Sequence, residues 1–338
     1  MQPKGETMLK KDESFPEDLT RLSFESMDRL KGEKLEVENL VLYEENLNPP
    51  NFDENLDLAS FQVDVEKDLL KISPLEEYVQ IVAVDVSVRK IGKTRNGVVC
   101  AFRGTIVWKD EYAYHYTRYG PFLLYIVNNK NFSCLTFKNE NLNHRLGKTQ
   151  VFMEKIFQNH VFKNLKDSIV LLDGCLLNQN INLKMLDLAR KNNNKVLAFA
   201  KQSNIYINGK PAIHFLAEKE PPCILHLTKP TTQKPIYQSL GWIFLTKFSH
   251  ENYGFRVDAD QNLSFDEVVN VFRKLLGNEI FIQGYPETLR VAHMLSILTN
   301  VEVLAIQRFL SEKYGIKILK PPNTRRMLFG PFGKWVEC

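Results

Sequence analysis

From residue 78 onward, apolar and polar positions alternate in short bursts that predict strands, and longer stretches of near-helical spacing separate the later ones. Strand-like runs over 78–88, 97–108 and 122–129 follow one another across short links, the pattern of three antiparallel neighbours. A helix is predicted over about 147–166, with Val151, Phe152, Ile156, Phe157 and Val161 along one side. A strand over 168–177, a polar helix near 181–192 and a strand over 195–203 come next. Three antiparallel strands, then helix, strand, helix, strand, predict a mixed α/β sheet whose later strands are covered on both faces. Short strands are expected around 242–248 and 254–259. Ser264 and Glu267 form the signature of a capped helix start over 264–276. After the short strand "EIFIQ", Pro286 opens another helix at its favoured first-turn position, and a last helix is expected near 301–314.

The first 77 residues read differently. Leu19, Leu22, Met27 and Leu30 suit one amphipathic helix, and "LNPPNFDENLD" breaks what precedes it. This segment is expected to be an arm over 1–77, outside the core of a domain over 78–338. Charge sharpens the division. Residues 1–77 hold 9 basic and 20 acidic side chains, the remainder 35 and 20, although the whole chain carries only +4. Such asymmetry points to a basic body that binds a polyanion, with a merely solubilising acidic segment as the plainer alternative.

Composition excludes several classes. At 44% hydrophobic and 25% charged residues, without an apolar run of about 18 or a secretion-signal stretch, the chain is expected to be a cytoplasmic protein with no membrane span. Five scattered cysteines without a CxxC pair argue against zinc and for reduced thiols. "GKT" occurs at Gly92 and Gly147, but a phosphate-cradling loop needs a glycine five positions earlier, where Ser87 and Leu142 stand. There is no GxGxxG and no HExxH.

The candidate chemistry lies in two carboxylates set in apolar strands: Asp85 in "YVQIVAVDVSV" and Asp173 in "SIVLLDGCLL". A buried aspartate without a partner is costly. By alternation Ile81, Ala83 and Asp85 share one strand face, as do Ile169, Leu171 and Asp173. Were the two strands neighbours, the carboxylates would converge and repel unless a divalent cation neutralised them. Oxygen-only ligands suit magnesium or manganese, and two such ions support in-line displacement at a phosphodiester. Taken singly, each Asp also fits a turn cap at a strand end. Glu154, on the 147–166 helix, is the third candidate, and Glu140 in a polar loop is a weaker one.

This order of strands and carboxylates resembles the RNase H-like nuclease fold and, within it, the NurA nucleases of archaea. "VAVDVS" matches the first-strand aspartate motif, "VLLDGCLL" the later Asp-Gly motif, "LAFAKQS" the Lys-x-Ser strand, and "GYPETLRVAHMLSILT" the C-terminal Tyr-Pro…Ala-His segment. Together they cover residues 78 to about 300. One departure stands out: the usual Asp-Gly-Ser is here Asp85-Val86-Ser87. The resemblance implies an α/β fold with an RNase H-like mixed sheet, flanking helices, a helical N-terminal arm and a C-terminal α+β extension. It implies that Asp85, Glu154 and Asp173 hold two manganese or magnesium ions. Lys201 would stabilise developing phosphate charge or position water, Tyr285 bind the phosphate or stack on a base, and His293 transfer a proton.

Arg89, Lys90, Lys93 and Arg95, in the hairpin leaving the first strand, are expected to touch the DNA backbone, with Arg325, Arg326 and Lys334 as weaker candidates. The implied activity is 5′→3′ exonuclease action on single- and double-stranded DNA, with single-strand endonuclease action. Its setting would be end resection in double-strand break repair and homologous recombination. The implied partners are a second copy, in a homodimer, and a hexameric HerA-type translocase that supplies the ATP-driven step. A non-catalytic DNA-binding adaptor or clamp for that ATPase is the expectation from a different class. A Piwi-type guide-dependent protein shares the core, but the arm is too short for guide-end domains.

Overall fold

The computed structural model describes residues 14–37, 59–111, 113–127, 142–177, 181, 183–201, 205–227, 230–233, 239–251 and 254–320. Glu140, Arg325, Arg326 and Lys334 lie outside them.

One eleven-stranded sheet organises the chain. Its strands are β1 (Lys34–Glu36), β2 (Leu69–Lys71), β3 (Ile81–Lys93), β4 (Gly97–Lys109), β5 (Tyr114–Val127), β6 (Ile169–Asp173), β7 (Lys195–Ala200), β8 (Cys223–Leu227), β9 (Gly241–Lys247), β10 (Phe255–Asp260) and β11 (Lys317–Leu319). The helices that cover it are α1 (Ser14–Asp28), α2 (Leu142–Asn164), α3 (Leu183–Lys191), α4 (Phe265–Asn278), α5 (Glu287–Ser296) and α6 (Asn300–Tyr314). Strands β3, β4 and β5 form the expected antiparallel meander. On the other side of β3, β6 and then β7 run parallel to it. The order β5-β4-β3-β6-β7 is the RNase H-like core. Strands β10, β9, β8 and β2 extend it as antiparallel neighbours beyond β7. A small second sheet joins residues 59–61, 205–207, 210–211 and 230–233.

Strand alternation sorts the core into two faces. Val82, Val84, Val86, Val170 and Leu172 pack with Met153, Phe157 and Val161 of α2 and Leu186 of α3. Ile81, Ala83, Ile169, Leu171, Leu197 and Phe199 pack with Phe272 of α4 and with Leu289 and Ala292 of α5. The capping box expected at Ser264 and Glu267 is present, and Thr299 with Glu302 forms a second one at the start of α6. Pro286 stands one position earlier than expected, at the N-cap of α5.

The boundary expected at residue 77 does not separate two units. Met27, Leu30, Leu35 and Val37 are buried with Ile91, Val99 and Leu123 of the sheet and with Leu310 and Ile316 near the end of the described chain. Strand β1 pairs with β11 and touches β3 at Lys93, and β2 closes the far edge of the sheet. Ser23 and Ser26 of α1 accept the backbone N–H groups of Leu123 and Tyr125, which lie on the edge strand β5. Each fully buried aliphatic side chain contributes about 1.5–3 kcal/mol. The apolar stripe read as an arm's surface is therefore core, because the outer halves of β3–β5 need a cover that the 78–300 region does not supply. The "LNPPNFDENLD" break lies outside the described residues.

Residues Glu287–Tyr314 together are long and apolar enough to cross a membrane. They form two helices, 10 and 15 residues long, broken by an extended Ile297 and the Thr299 cap. Each is shorter than the roughly 20 residues a span requires.

Candidate active site

Residue pairing places the first two carboxylates side by side. In the parallel pair β3/β6, Val84 stands opposite Leu172, so Asp85 and Asp173 occupy the next position on neighbouring strands and face the same side. Neighbouring strands lie about 4.8 Å apart. After Asp173 the chain turns away through Gly174, whose φ of 98° an L side chain would resist. Strand β3 does not stop at Asp85; it runs to Lys93 along β4.

The α5 helix closes over this pair. His293 Nδ1 lies 3.4 Å from Asp85 Oδ2, and the Ser296 hydroxyl donates to the same oxygen at 2.5 Å. On the neighbouring strand, Lys201 Nζ donates to Asp173 Oδ2 at 2.7 Å and the Tyr285 hydroxyl to Oδ1 at 3.3 Å. Lys201 is the first residue after β7, and Tyr285 follows the Gln283-Gly284 turn, both of positive φ, just before α5. The Tyr285 ring is buried against Phe199 and Phe255, with the Lys201 ammonium 5.7 Å from its centre. Its hydroxyl, not an open ring face, is the part that reaches Asp173.

Glu154 comes from α2 on the opposite face, half-buried, with Gln150 Nε2 donating to its Oε1 at 3.2 Å and reaching the carbonyl of Val86. Burial, the charge of Asp85 and the charge of Asp173 push its carboxyl up to about 8. Burial also raises Asp173 and outweighs the pull of Lys201. Asp85 goes the other way: burial raises it, but the hydrogen bonds from His293 and Ser296 hold it below the ordinary carboxylate value. His293 is correspondingly raised by its hydrogen bond to Asp85 against the effect of burial. Burial and the two aspartate charges lift the Tyr285 phenol well above its usual value. Among the described residues, Glu154 alone of the three acids has no cationic partner bonded to it; its hydrogen-bond partner is an amide.

That imbalance has a measurable consequence. A carboxyl raised from 4.5 to about 8 costs stability as pH climbs through that window, since the unfolded chain gives up its proton first. The full shift is several kcal/mol, and solvent at the half-open side chain screens part of it. In EDTA near pH 8.5, Glu154→Gln is expected to be more stable than the parent by about 2 kcal/mol, and near pH 4.5 the gain should vanish. Thermal denaturation at the two pH values checks this; an equal melting difference at both would contradict it.

Val86 now has an explanation. It lies in continuous strand, side chain buried under α2, with Gly104 of β4 as its cross-strand neighbour. The Phe157 ring sits where a Gly104 Cβ would stand, 2.2 Å from that position. The open space on this face is thus at Gly104, and residue 86 needs no glycine.

The four basic residues do not form one cluster. Arg89, Lys90 and Lys93 lie on β3 itself and only Arg95 in the turn. Arg89 donates to Asn300 at 2.9 Å, while Lys93 and Arg95 are exposed. At about 3.3 Å per residue, Lys93 is roughly 26 Å along the strand from Asp85. Ser296 carries no sequence signal of its own, although it stands within "AHMLSILT", one turn after His293.

Among the described residues, no group of three His, Cys, Asp or Glu side chains is gathered as a metal site. The donor chemistry nevertheless suits a hard divalent cation: Asp85 and Asp173 stand on adjacent strands, and their charges help raise the carboxyl of Glu154, which a bound cation would ionise.

No protein-family model and no curated protein matches the chain. Among solved structures, the NurA nuclease from Sulfolobus solfataricus superposes with a TM-score of 0.53 at 18% identity, over 74% of this chain and 88% of that one. A NurA with dAMP and manganese bound gives 0.44 at 9% identity, over 68% and 87%. Endonuclease V from Bacillus subtilis gives 0.34 at 10% identity, over 74% and 90%. Strand order and the first of these superpositions agree: the chain has a NurA-like, RNase H-like α/β fold.

Proposed function

We propose that this chain is a metal-dependent nuclease that hydrolyses DNA phosphodiesters. The observation that carries the reading is the register that sets Asp85 and Asp173 side by side on adjacent parallel strands of an RNase H-like sheet, with Glu154 on α2 near enough to feel both charges. These three would hold divalent ions, manganese or magnesium and two in number; when bound, such ions activate water and stabilise the leaving oxygen. The remaining residues have roles the chain itself supports. Lys201, on the rim beside Asp173, offers a positive charge to a phosphate oxygen. His293, half exposed and raised by Asp85, carries a proton at the edge of the site, where a leaving oxygen could take it. Tyr285 orients Asp173 through its hydroxyl.

Exposed Lys93 and Arg95 make sequence-independent phosphate contacts along the duplex or single strand. The activity is 5′→3′ exonuclease cutting of single- and double-stranded DNA with single-strand endonuclease cutting, in end resection for break repair. The chain works as a homodimer on a hexameric HerA-type translocase, which supplies unwinding. The NurA-like fold supports this assignment. End-labelled single- and double-stranded oligonucleotides, incubated with manganese and with manganese plus EDTA, provide the test. Cleavage is expected only without EDTA, with products shortening from the 5′ end. DNA binding without cleavage in any divalent metal would turn the reading to a non-catalytic adaptor.

A further inference from the structure

The mechanism above leaves one buried polar side chain beside Asp85 without a role. Ser296 ends α5 with 0% exposure. An alanine would fill nearly the same volume, so packing alone does not ask for a hydroxyl there. A buried hydroxyl needs a bond, and this one has two acceptors in reach: Asp85 Oδ2 at 2.5 Å and the His293 carbonyl at 2.8 Å. It has one proton to give. The ionised acceptor is the stronger, since charge-assisted hydrogen bonds are roughly twice as strong as neutral ones.

One further contact holds Ser296 itself, and two more hold the chain just after it. The last carbonyls of a helix lack intrahelical donors, and α5 ends at Ile297 in extended backbone without a glycine cap. The sheet supplies the donors instead. The Ser87 hydroxyl donates to the carbonyl of Ser296, and Arg103 Nη1 donates to the carbonyl of Ile297 at 3.0 Å. Arg103 is 4% exposed and is held from behind by Glu302, its Nη2 donating at 2.5 Å. Arg89 reaches Asn300 on the next helix. Ser87 stands two positions after Asp85 on the same strand face, so the two serines close a reciprocal link. Ser296 gives its hydroxyl to Asp85, and Ser87, from Asp85's own strand, gives its hydroxyl back to Ser296. Among the described residues, Asp85 Oδ1 takes no hydrogen bond, so the link ties down one oxygen and leaves the other uncommitted.

We infer that Ser296, seated by Ser87 and Arg103, is a positioning residue that fixes the orientation of the Asp85 carboxylate in the candidate site. The inference rests on the proposed nuclease function only for its catalytic consequence; the orientation itself is a property of the chain. It also gives the serine of the Asp85-Val86-Ser87 motif a task that survives replacement of the middle residue.

The test is Ser296→Ala, with Ser87→Ala as the second variant should the first fail to fold. The first readout is a crystal structure of the variant, grown with EDTA. Asp85 is expected to leave its single orientation or split between two; an unchanged Asp85 side chain overturns the inference whatever the protein does to DNA. The second readout is oligonucleotide cleavage with manganese. A roughly tenfold fall in kcat with KM for DNA and melting temperature close to the parent is expected, the size typical of residues that orient metal-binding side chains. A parental kcat in both variants also overturns it. A parent that cuts no DNA, with Asp85 displaced in the variants, sinks the nuclease reading and leaves the positioning inference standing.

Discussion

Asp85→Ala is expected to abolish manganese-dependent cleavage, by a thousandfold or more, and Asp173→Ala to do the same. The two carboxylates stand in register on adjacent parallel strands, so removing either breaks the pair that would hold a cation against a phosphate. A thousandfold loss corresponds to about 4 kcal/mol of transition-state stabilisation. The fold should survive both changes. Each aspartate is bonded to polar side chains at the edge of the core rather than packed within it. Ser296 can fall back on the His293 carbonyl when Asp85 is gone. Initial rates on labelled single-stranded DNA measure the loss, and circular dichroism with a melting curve verifies the fold. Full activity in both variants would sink the assignment.

Gly104→Ala is expected to destabilise the fold by about 3 kcal/mol. An added Cβ would meet the Phe157 ring at 2.2, 2.4 and 2.5 Å from three of its carbons. That ring is fully buried between the sheet and α2, next to Phe15 and Tyr119, so it has little freedom to retreat. Overpacking a dense core costs about 1–3 kcal/mol, and a contact this short belongs at the upper end. The strain would pass to α2 and to Glu154, one turn earlier on the helix. Phe157→Leu in the same chain should restore part of the loss, because it removes the atoms that clash. Urea titration of the single and double variants measures both effects; additive losses in the double variant would show that the ring is not the obstacle.

Much of the sheet was legible in the chain because strand alternation is local. Ile81, Ala83 and Asp85 point one way and Val82, Val84 and Val86 the other as soon as the strand forms, and the two cores divide along that line. The capping box at Ser264 is likewise a matter of three residues and their own backbone. The N-terminal segment was harder. Leu19, Met27 and Leu30 announce an apolar stripe, but a stripe does not say what it covers. Its acidic charge sharpened that division, yet Glu17, Asp18, Glu25 and Asp28 occupy the solvent side of a helix that seals the outer strands.

For the candidate site, the residue types were readable and their arrangement was not. Asp85 and Asp173 could be paired on paper once their strands were taken as neighbours. The side on which Glu154 stands depends on the rotation of a helix about its axis against the sheet. Tyr285 reads as a surface aromatic until Phe199 and Phe255 close around it. Ser296 is 211 residues from Asp85, a separation at which no periodicity carries information.

The sequence by itself determined which positions are apolar, which face each side chain takes along its strand, and where charge gathers, because these follow from bonds and periods spanning a few residues. Only the tertiary structure decided that α5 lies across β3, that β1 and α1 close the sheet, and that Ser296 and His293 meet Asp85. Those outcomes depend on the packing of surfaces formed by distant segments, and on which buried polar groups find partners when the surfaces meet.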